Sequence, residues 1–357
     1  MEPIDIALID NILRVTDLTT DEKYPNIGVV VIGRNEGERL VRCLQSLQDW
    51  MVNLVYVDSG STDESVEVGR KAGAILVELD NSLPFTAARA RNMGVQALRK
   101  VADFSFVQFV DGDCEVAPNW IPTACLYLEQ HCNVAVVAGR LREKAPELSI
   151  YNCLCGIEWN VPVGETQTVG GIAMYRMETF LATGMFDSSL VAGEEPELCL
   201  RLRKNGLKIM RIEEEMAVHD ANILKFHQWW RRLYKAGYGS LDVFLRLYGR
   251  VPASEIPFYG MVRSVPRWTL YWAGGTLGLT ILGATVTTQY GALGGGIVGF
   301  GIWLTQAVRT AWGVRHRTKA WRSRLAYGVL TLIGKWAQLA GQYRYWKDHR
   351  ATRSNLK

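Results

Sequence analysis

The sequence predicts an α/β protein: a mainly parallel sheet with helices on both faces, followed by a helical membrane hairpin. Three observations predict it. Short β-branched apolar runs alternate with helical stretches through the first third of the chain. Two long uncharged apolar stretches lie in the last third. Charge divides the chain between them: Arg250–Lys357 carries fifteen Lys/Arg against two acids, Glu255 and Asp348, so the formal net charge of +4 hides an acidic front and a strongly basic tail. With 357 residues, 48% hydrophobic and 21% charged, the chain is neither disordered nor a disulfide-built miniprotein.

The elements follow in order. Asn26–Gly33 (NIGVVVIG) reads as a buried strand, and Leu40–Leu47 has helical apolar spacing. Leu54–Val57 is a second strand, Glu64–Ala72 a helix, Ala74–Leu79 a third strand, Ala87–Val101 a helix, and Phe104–Val110 a fourth strand. In such sheets ligands bind beyond the carboxyl ends of the strands. The residues there are polar: Arg34, Asn35 and Glu36; then Asp58 to Asp63; then Asp111, Gly112 and Asp113. Neither GxxxxGK[ST] nor a strand-following GxGxxG occurs, which excludes a P-loop and argues against a dinucleotide site. Asp111-Gly112-Asp113 puts two carboxylates around a glycine straight after a buried strand, a pattern suited to a hard divalent cation bridging phosphates, Mg²⁺ or Mn²⁺.

In the tail, Trp268–Thr288 and Tyr290–Val308 run for 21 and 19 residues without a charge. Each is long enough to cross a bilayer core, which needs roughly 20 residues. Leu325–Trp346 is apolar but contains Lys335 and Arg344, so it is either an amphipathic helix on the membrane face or a third crossing. The basic residues flanking the two spans put both flanks in the cytoplasm, giving a multi-pass cell-membrane protein with its front domain cytoplasmic. Met1–Asn11 lacks the basic flank and apolar core of a signal peptide. The seven cysteines are therefore expected as reduced thiols that serve packing. The organisation expected is a lead over 1–24, a catalytic domain over 25–248 and a membrane-anchoring helical region over 249–357.

Six blocks together extend the reading: VVVIGRNEGERLVRCLQSL, VDSGSTDES, ARARNMG, FVDGDCEVAPNW, GGIAMYRMETFLATGMFD and GEEPELCLRLRKNG. In this order, across Asn26 to about Gly206, they resemble the successive motifs of the family-2 glycosyltransferases, inverting enzymes of the GT-A fold that use nucleotide-sugar donors. The resemblance implies roles residue by residue. Asn35 and Glu36 would border the nucleoside pocket, and Asp58 would hydrogen-bond the base, commonly uracil. Arg91 and Asn92 would lie close to nucleotide and sugar. Asp111 would meet ribose or metal-bound water, and Asp113 the metal. Gly170 and Gly171 would line the donor sugar.

The family's Glu-Asp pair, whose second acid is the catalytic base, is read here as Glu194-Glu195 after Gly193. Glu195 occupies the position of the base, but its extra methylene leaves Glu194 as an alternative. Cys114 stands where an acid is frequent after the DGD block. Downstream, His219 matches a histidine of some relatives and, with Arg231 and Arg232, is expected at the metal and diphosphate end. Gln228–Arg232 (QWWRR) resembles the QxxRW motif of processive synthases without its final tryptophan, so transfer of single sugars is expected; the same stretch also reads as an interfacial helix with Trp229 and Trp230 in the headgroup zone.

The partners implied are a nucleotide-sugar donor, a lipid-linked or saccharide acceptor in envelope or exopolysaccharide synthesis, and the membrane, with no nucleic acid. Competing readings are a polyprenyl-phosphate sugar transferase, a non-catalytic nucleotide-sugar-binding scaffold and a nucleotidyltransferase; GRNEGER fits poorly the basic glycine-rich loop that the last requires.

Overall fold

The computed structural model describes residues 26–287 and 289–354. The expected lead over 1–24 and Thr288, at the end of the first expected span, lie outside them. The described residues divide into two compact units: one runs from residue 26 to Lys144 and from Trp159 to Ala221, the other comprises Ala145–Glu158 and Asn222 onward.

The first unit holds a nine-stranded mixed sheet in the order β3-β2-β1-β4-β8-β6-β9-β5, with β7 paired to β9. Its strands are β1 (Ile27–Gly33), β2 (Leu54–Asp58), β3 (Ile75–Glu78), β4 (Phe106–Asp111), β5 (Cys114–Val116), β6 (Val134–Glu143), β7 (Gly164–Glu165), β8 (Ala173–Arg176) and β9 (Lys208–His219). The four strands expected from periodicity are β1 to β4, and they form the parallel half. Every residue of β1 is buried, as a central parallel strand covered on both faces requires. Helices α1 (Glu38–Ser46), α2 (Ser65–Lys71) and α3 (Ala87–Leu98) are the crossovers. Gly94 lets α3 lie close on the sheet, since a Cβ there would meet Val30 and Val57.

Beyond β4 the sheet turns antiparallel at β8. The long strands β6 and β9 run parallel, and β5 pairs antiparallel with the end of β9. This half carries α4 (Trp120–Gln130), α6 (Met177–Ala182) and α7 (Glu194–Lys204), and α5 (Ile150–Trp159) connects β6 to β7. The seven cysteines are free; Cys43, Cys114, Cys125, Cys155 and Cys199 are buried, as packing residues are, whereas Cys132 is exposed and Cys153 half-buried.

The second unit is helical: most of α5, then α8 (Phe226–Leu247), α9 (Tyr259–Pro266), a π turn over Arg267–Tyr271, α10 (Trp272–Thr287), α11 (Gln289–Gly313) and α12 (Trp321–Ser354). The helical unit takes in Ala145–Glu158 as well as Asn222 onward. Side chains explain this: Tyr151 stacks on Trp229 with ring centroids 5.5 Å apart, and the Asn152 side chain accepts from the Ile223 backbone N–H at 2.9 Å. Trp229 is 2% exposed, so it is a packing residue and not the headgroup anchor expected of it. One described helix, Tyr290–Gly313, is long and apolar enough to cross a membrane. In the first expected span, the α-helix proper is 16 residues, following the π turn.

Candidate active site

The site is built at the carboxyl ends of β1, β2 and β4, where the chain must leave the sheet through polar turns. At β2 this turn is self-contained. Asp58 is buried, and one of its carboxylate oxygens accepts from the backbone N–H groups of Gly60 (2.9 Å) and Ser61 (2.8 Å). The other accepts from the Tyr56 hydroxyl at 3.0 Å and from the Ser61 hydroxyl. At β1, Asn35 takes a positive φ of 57°. Its side-chain oxygen accepts from the Thr62 N–H at 2.7 Å, and its own N–H donates to the Ser61 hydroxyl at 2.9 Å. These bonds tie the first two turns into one rim.

Arg91 is the hub of the acidic side. It is 3% exposed and donates to Asp111 Oδ1 at 2.8 Å, Glu194 Oε1 at 2.8 Å and Glu195 Oε1 at 3.2 Å. One guanidinium thus faces three carboxylates from two elements: Asp111 ends β4, and Glu194 and Glu195 open α7. Gly193, at a φ of 92°, makes the left-handed turn into α7, a conformation glycine adopts without a Cβ penalty. Burial works against the charge on Arg91, but Asp111, Glu195 and Glu194 together hold its pKa above the ordinary value. Glu195 is pushed up to about 8, by burial first and then by Glu194, against the pull of Arg91. Gly171 closes over this cluster: a Cβ there would meet both the Arg91 guanidinium and the Asp111 carboxylate.

The second cluster joins Asp113 to His219. Their nearest atoms, Asp113 Oδ2 and His219 Nε2, are 3.3 Å apart. Strand pairing enforces this, because Cys114 lies opposite His219 in the β5–β9 ladder and the Asp220 N–H donates to the Asp113 carbonyl at 2.9 Å. Burial favours the neutral form of each partner, yet their hydrogen bond and mutual charge outweigh it, so Asp113 titrates below the usual carboxylate range and His219 above its own.

Asp113, Cys114 and His219 offer ligand atoms within 4.8 Å of one another. Burial, followed by the charges of Asp113 and Asp111, pushes the Cys114 thiol far up, and a soft sulfur donor suits Mg²⁺ or Mn²⁺ less well than oxygen or nitrogen. What remains is one carboxylate and one imidazole, with the buried His219 Nδ1 lacking a hydrogen-bond partner. Such an O/N donor set fits Mg²⁺ or Mn²⁺, which would complete its shell with water and phosphate oxygens.

The other expected residues are distributed more widely. Glu36 pairs with Arg39 at 2.7 Å and packs under Gly112; burial raises its pKa to about 7 against that pairing. The Asn92 amide donates to the Phe186 carbonyl at 2.8 Å and the Ser188 hydroxyl at 3.0 Å, so this side chain holds the loop before α7. Gly170 faces open space. Arg231 and Arg232 belong to the second unit, where Arg231 is exposed and Arg232 pairs with Glu158 at 2.9 Å.

Sequence reasoning passed over a group of side chains around the Asp113–His219 pair. Arg42 of α1 bonds Glu115 and Asp220, each at 3.1 Å, and Lys144 also pairs with Glu115. Glu115 and Asp220 lie two and one residues beyond Asp113 and His219, and that adjacency was the signal available.

The comparisons with known proteins agree with this arrangement of sheet and acidic rim. Residues 28–176 match the model of Glycosyl transferase family 2. The whole described fold is similar to that of mannosyltransferase PcManGT from Pyrobaculum calidifontis, solved in complex with GDP-Man and Mn²⁺: TM-score 0.55 and 16% identity, covering 96% of this chain and 93% of that one. A likeness to TarS of S. aureus has a TM-score of 0.45 and 15% identity, covering 89% and 91% of the two chains. A 63-residue stretch is 38% identical to a TPR repeat-containing protein of Synechococcus elongatus, spanning 18% of this chain and 16% of that relative.

Proposed function

We propose that this protein is a membrane-anchored inverting glycosyltransferase that moves one sugar from a nucleotide-sugar donor to a lipid-linked or saccharide acceptor. The observation that carries the reading is the Arg91 hub, which gathers the acid ending β4 and the two acids opening α7 around one buried cation. Glu195 is the better candidate for the base. Its side chain is 16% exposed against 6% for Glu194, and its bond to Arg91 is the longer one. Glu195 takes the proton of the acceptor hydroxyl, whose oxygen attacks the anomeric carbon as the bond to the diphosphate breaks; attack from the opposite side inverts that centre. A divalent cation held by Asp113 and His219, with Asp111 beside it, would stabilise the charge on the departing diphosphate. Gly171 leaves room for the sugar beside Arg91 and Asp111. The apolar helix Tyr290–Gly313, its surface largely uncovered, supports anchoring to a membrane, with Trp272–Thr287 as the returning arm of a hairpin.

Release of nucleoside diphosphate from a panel of UDP- and GDP-sugars tests this, using detergent-purified protein with Mg²⁺ or Mn²⁺. Metal-dependent release, lost in Asp113→Ala, is the expected outcome. Nucleotide binding without release from any donor, with membrane lipid extract added, would sink it in favour of a binding scaffold. A phosphate nucleophile needs little help from a base, so a mild Glu195→Gln would instead point to a polyprenyl-phosphate acceptor.

A further inference from the structure

We propose that the stretch Arg309–Arg324, made of the end of α11, the turn after it and the start of α12, docks on the anionic headgroups of a phospholipid bilayer. The proposal rests on the reading that Tyr290–Gly313 crosses a membrane. The stretch contains Arg309, Arg315, Arg317, Lys319, Arg322 and Arg324 and no acid. By contrast, Arg42, Arg91, Arg140 and Arg201 of the first unit find carboxylates within the chain. Among the described residues, Arg309, Arg315, Lys319, Arg322 and Arg324 make no ion pair. Their counter-charge therefore comes from outside the chain.

The occupant follows from what flanks the cations. Trp312 and Trp321 are 64% and 62% exposed and lie within the stretch, on either side of Arg315 and Lys319. Arg315 lies over the Trp312 ring at 5.2 Å, and Arg322 over Trp321 at 5.6 Å. Helix α11 leads into Trp312 with Leu293, Ile297, Phe300 and Val308 exposed. Exposed apolar surface, then tryptophan, then unpaired cations is the order in which hydrocarbon, interface and phosphate follow one another at a membrane surface. A nucleic acid would satisfy the charge but leave the apolar surface bare. Each Lys or Arg near an anionic surface strengthens attraction about five-fold at physiological salt.

The test reconstitutes the full chain in phosphatidylcholine nanodiscs carrying an equal fraction of brominated phosphatidylglycerol or brominated phosphatidylcholine. Quenching is read as the fluorescence lost between wild type and Trp312→Phe/Trp321→Phe. Stronger quenching by the anionic lipid is expected, abolished in Arg315→Gln/Lys319→Gln/Arg322→Gln with an unchanged circular dichroism spectrum, and weakened by salt. Equal quenching by the two lipids overturns the proposal and leaves the membrane reading intact. No quenching by either removes the membrane reading and the proposal with it. Loss of the preference on adding polyuridylate of equal charge would reassign the cations to nucleic acid and overturn it as well.

Discussion

Glu195 carries the clearest consequence at the scale of a residue. A carboxyl raised from 4.5 to about 8 is mostly protonated at neutral pH, and a base works only in its ionised fraction. We therefore expect kcat/KM to climb about tenfold per pH unit below about pH 8 and then level off. Glu195→Gln should lower kcat by roughly 10²–10⁴ and erase that limb; a wild-type profile flat from pH 6 to 8 would contradict the assignment. Stability runs the other way. The folded state binds this proton more tightly than the unfolded chain, so the contribution is fully present below 4.5 and lost as pH rises through about 8. The neutral isostere should consequently raise Tm more at pH 9 than at pH 6. The two glycines make a second residue-scale contrast. The resemblance gives Gly170 and Gly171 one role, but only at Gly171 would a Cβ meet Arg91 and Asp111. Gly171→Ala is expected to cost about 1–3 kcal/mol of stability and more than tenfold in rate, with Gly170→Ala near wild type in melting temperature. Equal effects of the two on folding would show that the packing over Arg91 does not matter.

At the scale of elements, the parallel half of the sheet was legible and the antiparallel half was not. Strands β1 to β4 are buried runs separated by helices with clear apolar spacing, so period and punctuation agree. Strands β5, β7 and β8 have only 3, 2 and 4 residues, too few to show a period. Strand β9 reads KIMRIEEEMAVH, and three successive acids hide a strand. Two of the three meet cations of β6: Arg140 pairs with Glu213 at 2.8 Å and Arg142 with Glu215 at 3.0 Å. Asp113 was legible from its motif, but its proximity to His219 depends on the β5–β9 ladder and was open only to analogy. That ladder is clamped by Arg42 through Glu115 and Asp220, the neighbours of the two candidate ligands. Arg42→Gln should weaken Mn²⁺ binding about tenfold or more, measured by electron paramagnetic resonance titration, with Arg42→Lys recovering part of it. An unchanged affinity would reduce the clamp to a surface ion pair. The exposed pair Arg70–Glu67 supplies the control, since Arg70→Gln should leave Mn²⁺ affinity as it is.

At the scale of the whole molecule, the helical unit owes its cohesion to glycines that bring helix backbones together. Between α10 and α11, a Cβ on Gly283 would meet the Gly291 backbone and one on Gly295 the Leu279–Thr280 backbone, while the Trp272 indole donates to the Gly299 carbonyl at 3.0 Å. Between α8 and α12, Gly237 lies against the Gln338 backbone and Gly341 against the Tyr234 carbonyl and the Tyr238 N–H. Helices in an apolar environment associate through such close packing, because lipid supplies little hydrophobic drive between them. This defines a graded prediction. Gly341→Leu puts a branched side chain onto a backbone that cannot move aside, so α8 and α12 must separate. Gly334→Ala meets the end of the Leu233 side chain, which can take another rotamer, and the edge of the Trp229 ring at 3.3 Å, which must give by a few tenths of an ångström. At Gly274 nothing lies within 4 Å. Thermal unfolding in detergent should therefore rank Gly274→Leu near wild type, Gly334→Ala slightly below and Gly341→Leu far below, the last by about 1–3 kcal/mol or more. The same order should appear in the fluorescence of Trp229, which stacks on Tyr151 and lies beside Gly334. A Gly341→Leu protein that melts with wild type would mean that α8 and α12 do not pack backbone to backbone, and that α5 and α8 cohere without α12.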